Sequence, residues 1–233
     1  MLARNQVVAH GHKFCWNDVF NTAYMFEASM RLCQQGQHKL QKAQTMLGTQ
    51  AFKTNVKAAQ CFACVMTDVF PKWTFKPFTL PDVVFEDVYG HYCLARAFAY
   101  HAVGEADLKA TNKAQIVSAA NAAHLFAVAS HLLTGDVSTI IEHAQYNVGK
   151  LLQLRANEYL TMWEQDKDDM GAAKACACLD EASVRYAAAK RGDCTKERNY
   201  AYARNHVHWQ EPKLPDWSAL FKVQITPLTS LLT

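Results

Sequence analysis

Between Pro77 and Leu133 the sequence reads as two long helices folded back on each other, and this stretch constrains the rest of the chain. Thr79 and the Pro81-Asp82 pair supply a start: proline presets φ in a first turn, and short oxygen-bearing side chains satisfy orphan N–H groups. Val84, Val88, His91, Ala95, Phe98 and Ala102 follow at alternating spacings of four and three, which places them on one face of a helix. Gly104-Glu105-Ala106-Asp107 is the expected turn, and Ile116, Ala119, Ala123, Phe126 and Leu133 mark the returning face. Alanines on both faces permit close backbone approach. The result is an αα-hairpin on which neighbouring segments are expected to stack.

The flanking sequence has the same character. Phe20, Ala23, Tyr24, Glu27, Met30 and Cys33 predict a helix from about residue 14 that runs on toward Leu47, with Gly48 as its stop. Phe52, Val56, Ala59, Phe62, Met66 and Phe70 predict a second helix over about 49–70, followed by a proline-bounded connector, 71–77. Beyond the central hairpin, Thr134-Gly135-Asp136 is a stop and restart. Further helices are predicted over about 137–165, 166–190 and 195–203, the first with Ile141 and Met162 and the second with Val184 among their packing residues. Two prolines, Pro212 and Pro215, exclude regular helix from the segment after His206. That segment is expected to be an extended strap anchored by Val207, Trp209 and Leu214.

The expected fold is all-α: tetratricopeptide-like stacked antiparallel helical hairpins with an extended C-terminal tail packed on them. Residues 1–13 are expected to be an irregular lead-in, 14–228 one helical domain, and 229–233 a short tail. Nine glycines and six prolines in 233 residues fit that class. A chain of this length buries roughly 70% of its extended surface, so it needs no covalent staple. The eight cysteines fall mostly inside helical patterns and read as reduced, packed thiols. A net charge of +3, spread along helices among acids, lacks the basic stripe of a nucleic-acid binder. No apolar run of about 18 residues exists to span a membrane, and the N-terminus lacks the long apolar stretch of a secretory signal. A cytoplasmic location is expected.

Five segments in order resemble the Bro1 domain family. Asp18-Val19-Phe20-Asn21-Thr22-Ala23-Tyr24-Met25 is similar to that family's Phe-Asn-x-Ala segment, and Lys57 to Ala63 to the helix after it. Leu94-Ala95-Arg96-Ala97-Phe98-Ala99 resembles the Leu-Ala-Gln-Ala-Gln-Glu signature, and Ala119 to Phe126 the helix that follows. Asn205-x-Val207-x-Trp209 leading to Leu214-Pro215, then Phe221-Lys222 and Thr226-Pro227-Leu228, resembles the family's closing segment. The likeness covers about residues 14–228 and leaves the family's N-terminal portion, with its small β-sheet and early helices, without a counterpart.

The resemblance implies an adaptor and not an enzyme, without cofactor. Its partner would be the amphipathic C-terminal helix of a Snf7-type ESCRT-III subunit, and membranes, endosomal ones included, would be reached only through partners. The family's groove positions fall on the central hairpin, near His101, Ala114, Ile116, Val117 and Ser118. Histidine, alanine and serine there bury less apolar area than large aliphatic residues, each worth roughly 1.5–3 kcal/mol, so a weakened groove is implied. The alternative is a divergent helical module with a structural role inside a larger assembly.

A small-molecule or metal-dependent enzyme built on a helical bundle is the third class, and the motifs for it are thin. Cys61-x-x-Cys64 lies inside a helical stripe, not at a helix N-terminus where a redox pair would sit. Cys176-x-Cys178 spans two helix faces. His10-x-His12 and His206-x-His208 could supply four zinc ligands only if the termini meet. Glu142-His143 are adjacent and lack the Glu-x-x-His spacing of a di-iron bundle. No Gly-x-Ser-x-Gly elbow or glycine-rich phosphate loop occurs. Phe70, Trp73, Phe75 and Phe78 around the connector, like Trp209 and Trp217 in the tail, read as junction-sealing anchors.

Overall fold

A computed structural model describes residues 6–9, 12–72, 82–105, 112–166 and 169–205. Among them are seven helices: α1 (Trp16–Gln44), α2 (Gly48–Cys64), α3 (Asp82–Glu105), α4 (Asn112–Leu132), α5 (Ser138–Asp166), α6 (Asp169–Ala188) and α7 (Thr195–Asn205). The described chain is helical apart from one short antiparallel ladder, β1 (Gln6–Ala9) with β2 (His12–Cys15). The C-terminal strap from His206, the connector residues Trp73, Phe75 and Phe78, the Ala106-Asp107 half of the expected turn, and His10, His206 and His208 lie outside the described residues.

The ladder corrects the expectation of an irregular lead-in. Val7 pairs with Phe14 and Val8 with Lys13, and valine and phenylalanine are of the kind that favour strands. Ala9 pairs with His12 at the end of the ladder. Helix α1 therefore opens at Trp16, two residues later than the pattern predicts.

Elsewhere the turn chemistry sets the breaks. Gly48 has φ +55° and reverses the chain between α1 and α2. At the end of α2 the helix loosens into a π-helical turn, Val65–Val69, then tightens into a 3₁₀ turn, Phe70–Lys72, ending where Pro71 removes a donor. Asp136 accepts a hydrogen bond from the Ser138 N–H at 2.9 Å, and Asp193 accepts from the Thr195 N–H at 2.9 Å and hydroxyl at 2.6 Å. These carboxylates start α5 and α7 by satisfying first-turn donors.

The substantial packing runs between consecutive helices, from α1 against α2 through to α6 against α7. The first core lies among α1 to α4, with Phe62, Val65, Cys93 and Phe126 buried at its centre. Small residues admit the large ones: a Cβ at Gly36 would stand 2.6 Å from the Phe62 ring, and one at Gly90 2.9 Å from Leu133. The second core joins α5, α6 and α7 through Leu152, Leu160, Leu179 and Tyr186, with Cys178 and Cys194. Ile116, Ala119 and Ala120 of α4 meet Leu151 of α5 and link the two. Val84, Tyr24, Met30, Ile141, Met162 and Val184, all on predicted packing stripes, are exposed instead. Ala182 and Tyr186, buried on either side of Val184, show that the inward face of α6 lies off the predicted stripe there.

Cys33, Cys61, Cys64, Cys93, Cys176, Cys178 and Cys194 are free thiols. Burial pushes Cys93 and Cys176 up to about 11 and Cys178 up to about 12, so these behave as packing groups. Phe70 seals its junction against Phe85, ring centroids 4.4 Å apart. Among the described residues, no group of three or more His, Cys, Asp or Glu side chains is placed to hold a metal ion. No described helix is long and apolar enough to cross a membrane.

Two glycines separate packing from propensity. A Cβ at Gly171 would lie 2.8 Å from the Tyr159 carbonyl oxygen, backbone that cannot swing aside, whereas at Gly104 the nearest atom is the flexible Lys150 Nζ at 4.0 Å. Gly171→Ala is expected to lower stability by about 1–3 kcal/mol, while Gly104→Ala is neutral or stabilising. Urea unfolding of the two variants beside the native chain measures the contrast.

Candidate functional site

Two concavities flank α2 on different faces, because Asn55 and Val56, adjacent on one helix, project about 100° apart. Phe52, Val56, Ala59 and Ala99 line a shallow groove of about 330 Å³ between α2 and α3. Along its α3 side run Tyr92, Arg96 and Tyr100, spaced by four and so stacked on one face. The Arg96 guanidinium donates to the Tyr92 hydroxyl at 3.3 Å and the Tyr100 hydroxyl at 3.4 Å. Its carbon lies 5.5 and 5.9 Å from the two ring centroids. Among the described residues no carboxylate pairs with Arg96. The groove is thus apolar, with one oriented and unneutralised cation.

The second concavity is a cleft of about 910 Å³ bounded by the α1–α2 turn, the C-terminal end of α3, the start of α5 and the loop after α6. Asn55 lines it and is only 4% exposed, and its Oδ1 has no hydrogen-bond partner among the described residues. A buried amide left unpaired costs about 1–3 kcal/mol. Phe98, His101, His143 and Arg191 also line the cleft, and Leu47, 89% exposed, stands at its lip.

A chain of hydrogen bonds sets the state of both imidazoles. Asn147, buried on α5, donates its Nδ2 to the His143 carbonyl at 2.7 Å, which turns its Oδ1 toward His101 Nδ1, 3.2 Å away. His101 therefore carries its proton on Nδ1 and keeps Nε2 as an acceptor. Arg191 donates to His143 Nδ1 at 2.6 Å, so that ring carries its proton on Nε2. Burial lowers the His101 pKa despite the Asn147 bond. Burial, then the Arg191 charge, pushes His143 down from 6.5 to about 4. Both rings are neutral at pH 7. The His143 ring lies parallel to Phe126, centroids 5.1 Å apart, and edge-on to Phe98 at 5.0 Å.

The charges beside the rings are unequally matched. Lys150 donates to Glu105 Oε1 and to the Gly104 carbonyl, each at 2.6 Å, and Tyr146 donates to the same Glu105 oxygen at 2.8 Å. Burial by itself would raise the Glu105 carboxyl, but these donors and the lysine charge hold it below its ordinary value. Glu105 is thereby compensated. Arg191 lies over the Tyr146 ring, 4.2 Å from its centroid, and pairs with no carboxylate among the described residues.

Of the positions expected to form a partner groove, His101 lines the cleft. Ile116 and Ser118, 5% and 6% exposed, are buried in the helical packing, and Ile116 packs against Leu151. Ala114 is exposed in the first turn of α4, and Val117, 50% exposed, faces outward. These residues do not make one surface, since consecutive residues of a helix project in different directions. Arg96, Asn55, His143 and Arg191 are missing from the expected set. The Tyr-x-x-x-Arg-x-x-x-Tyr spacing on α3 and an asparagine beside the apolar stripe of α2 were the available signals. Compared with protein-family models, with curated proteins and with solved structures, the chain matches none. Among the described residues the geometry defines a helical protein in which Arg96 and Arg191 each stand beside a concave surface without a carboxylate partner.

The His143 shift gives a signed pH dependence. In the unfolded chain an ordinary histidine takes up a proton near 6.5, which the folded ring refuses until about 4. Stability conferred by the neutral ring is therefore complete above 6.5 and is lost as pH falls toward 4, by on the order of 3 kcal/mol. His143→Phe, which keeps the stack on Phe126, is expected to flatten the fall in melting temperature between pH 7 and 5. An equally steep fall in that variant would assign the acid sensitivity to another group.

Proposed function

We propose that this chain is a non-enzymatic, Bro1-like helical adaptor with tetratricopeptide-like stacking, and that it docks an amphipathic helix of a partner in the α2–α3 groove. The observation that carries the reading is Arg96, held between two tyrosines in apolar surroundings without a carboxylate partner among the described residues. An amphipathic helix that presents apolar residues at i, i+3 and i+4, with an acid among them, complements such a groove. The apolar stripe would displace water from Phe52, Val56 and Ala99, and the acid would pair bidentately with the preoriented guanidinium. The resemblance stated above points to the C-terminal helix of a Snf7-type ESCRT-III subunit. Cytoplasmic action at endosomal membranes, reached through that partner, is part of the proposal. The groove lies between α2 and α3, one helix pair earlier than the positions around Ile116.

A second reading is a structural role within a larger assembly. Tyr24, Phe26 and Met30 are large, apolar and exposed on α1, and Phe26 and Met30 share a face. Another chain or a second copy would cover them. Light scattering of the purified chain separates the cases: a clean monomer counts against self-assembly.

Fluorescence anisotropy with labelled C-terminal helical peptides of Snf7-type proteins tests the adaptor reading. Saturable binding is expected, weakened about tenfold by Arg96→Gln, since charge-assisted pairs are roughly twice as strong as neutral ones. Val117→Ser is expected to leave affinity unchanged. The absence of binding at high micromolar peptide would remove this ligand.

A further inference from the structure

The cleft on the other face of α2 has a composition that the helix-docking reading does not use. Its most demanding member is Asn55. A carboxamide oxygen without a partner calls for an N–H donor, which a peptide unit supplies. The Asn55 side chain is 4% exposed, lines the cleft and has an acceptor without a partner among the described residues. The second member is Arg191. One of its N–H groups goes to His143 Nδ1 and its face lies on Tyr146, which leaves further donors and a full charge. Glu105 does not neutralise it, being engaged by Lys150 and Tyr146. The third is apolar: Leu47 at the lip and Phe98 in the wall.

We infer that this cleft binds the C-terminus of a polypeptide ending in an apolar residue. The terminal carboxylate pairs with Arg191, the last peptide group bonds to Asn55, and the final side chain packs against Leu47 and Phe98. Within a polypeptide, a free carboxylate, a peptide unit and an apolar side chain fall within a single residue at the C-terminus. The cleft volume, about 910 Å³, admits such a terminus. His101 and His143, neutral around pH 7, border the carboxylate without adding charge, so Arg191 sets the preference for an anion.

The test uses the full chain and two small probes: acetyl-Ala-Leu with a free carboxylate, and the same dipeptide as its C-terminal amide. Each is titrated into isotopically labelled protein, read by the side-chain amide NMR signals of the asparagines and by calorimetry. The acid is expected to bind with a dissociation constant near millimolar, in keeping with its size, and to shift the Asn55 amide signals saturably. The amide is expected to bind about tenfold more weakly. Arg191→Gln, a change on the exposed side of the cleft, is expected to abolish that difference while the fold persists by circular dichroism. Acetate alone is expected not to move the Asn55 signals. Arg96→Gln is expected to leave acid binding intact, which separates this site from the α2–α3 groove. Equal affinity for acid and amide, no effect of Arg191→Gln, still Asn55 signals at saturation, or no binding of the acid would each overturn the inference.

Discussion

The closeness of consecutive helix backbones is the constraint on which the rest depends. Ala95, Ala97, Ala122 and Ala129 are fully buried around α3 and α4, and Gly149 and Gly171 lie where a methyl group would strike a neighbouring ring or backbone. Small surfaces bring the helices near enough for a few large side chains to fill the remaining space. Phe62, Phe126, Leu151 and Leu152 do so and are almost wholly buried. Substantial packing runs mainly between consecutive helices, and so the arrangement behaves as a series of coupled pairs.

Such a series leaves its concave surfaces at helix–helix seams, and here the polar residues gather at one of them. His101, His143, Asn147, Tyr146 and Glu105 come from α3 and α5, which are separated by α4 in the chain, and Arg191 follows α6. In low-dielectric surroundings each member fixes the next: Asn147 chooses a tautomer for His101, and Arg191 chooses one for His143. The network is nearly satisfied. Among the described residues the exceptions are the Arg191 charge, which has no carboxylate partner, and the Asn55 Oδ1 of the same cleft, which has no hydrogen bond. Buried polar groups without partners are expensive, so each calls for a physical explanation.

The hairpins, the helix order and the turn positions at Gly48 and Gly135 were legible because each rests on local chemistry: a 3.6-residue period, a capping carboxylate, a glycine at positive φ. The β1–β2 ladder escaped because its strands are four residues each, too short for alternation to stand out. Ile116, Val117 and Ser118 illustrate the harder limit. Their apolar and small character marks a packed helix equally well whether the face meets α5 or a partner, and Ile116 proves to meet Leu151.

By itself, then, the sequence determined a helical chain with breaks at defined residues and thiols used as packing groups. Those features follow from neighbours within a few positions. The tertiary structure alone decided which faces remain open, which arginines go uncompensated and which histidines stay neutral. His101 with Asn147 and Arg191 with His143 are 46 and 48 residues apart. Distances, burial and charge balance between such residues depend on how backbones approach in space, and no local periodicity encodes that.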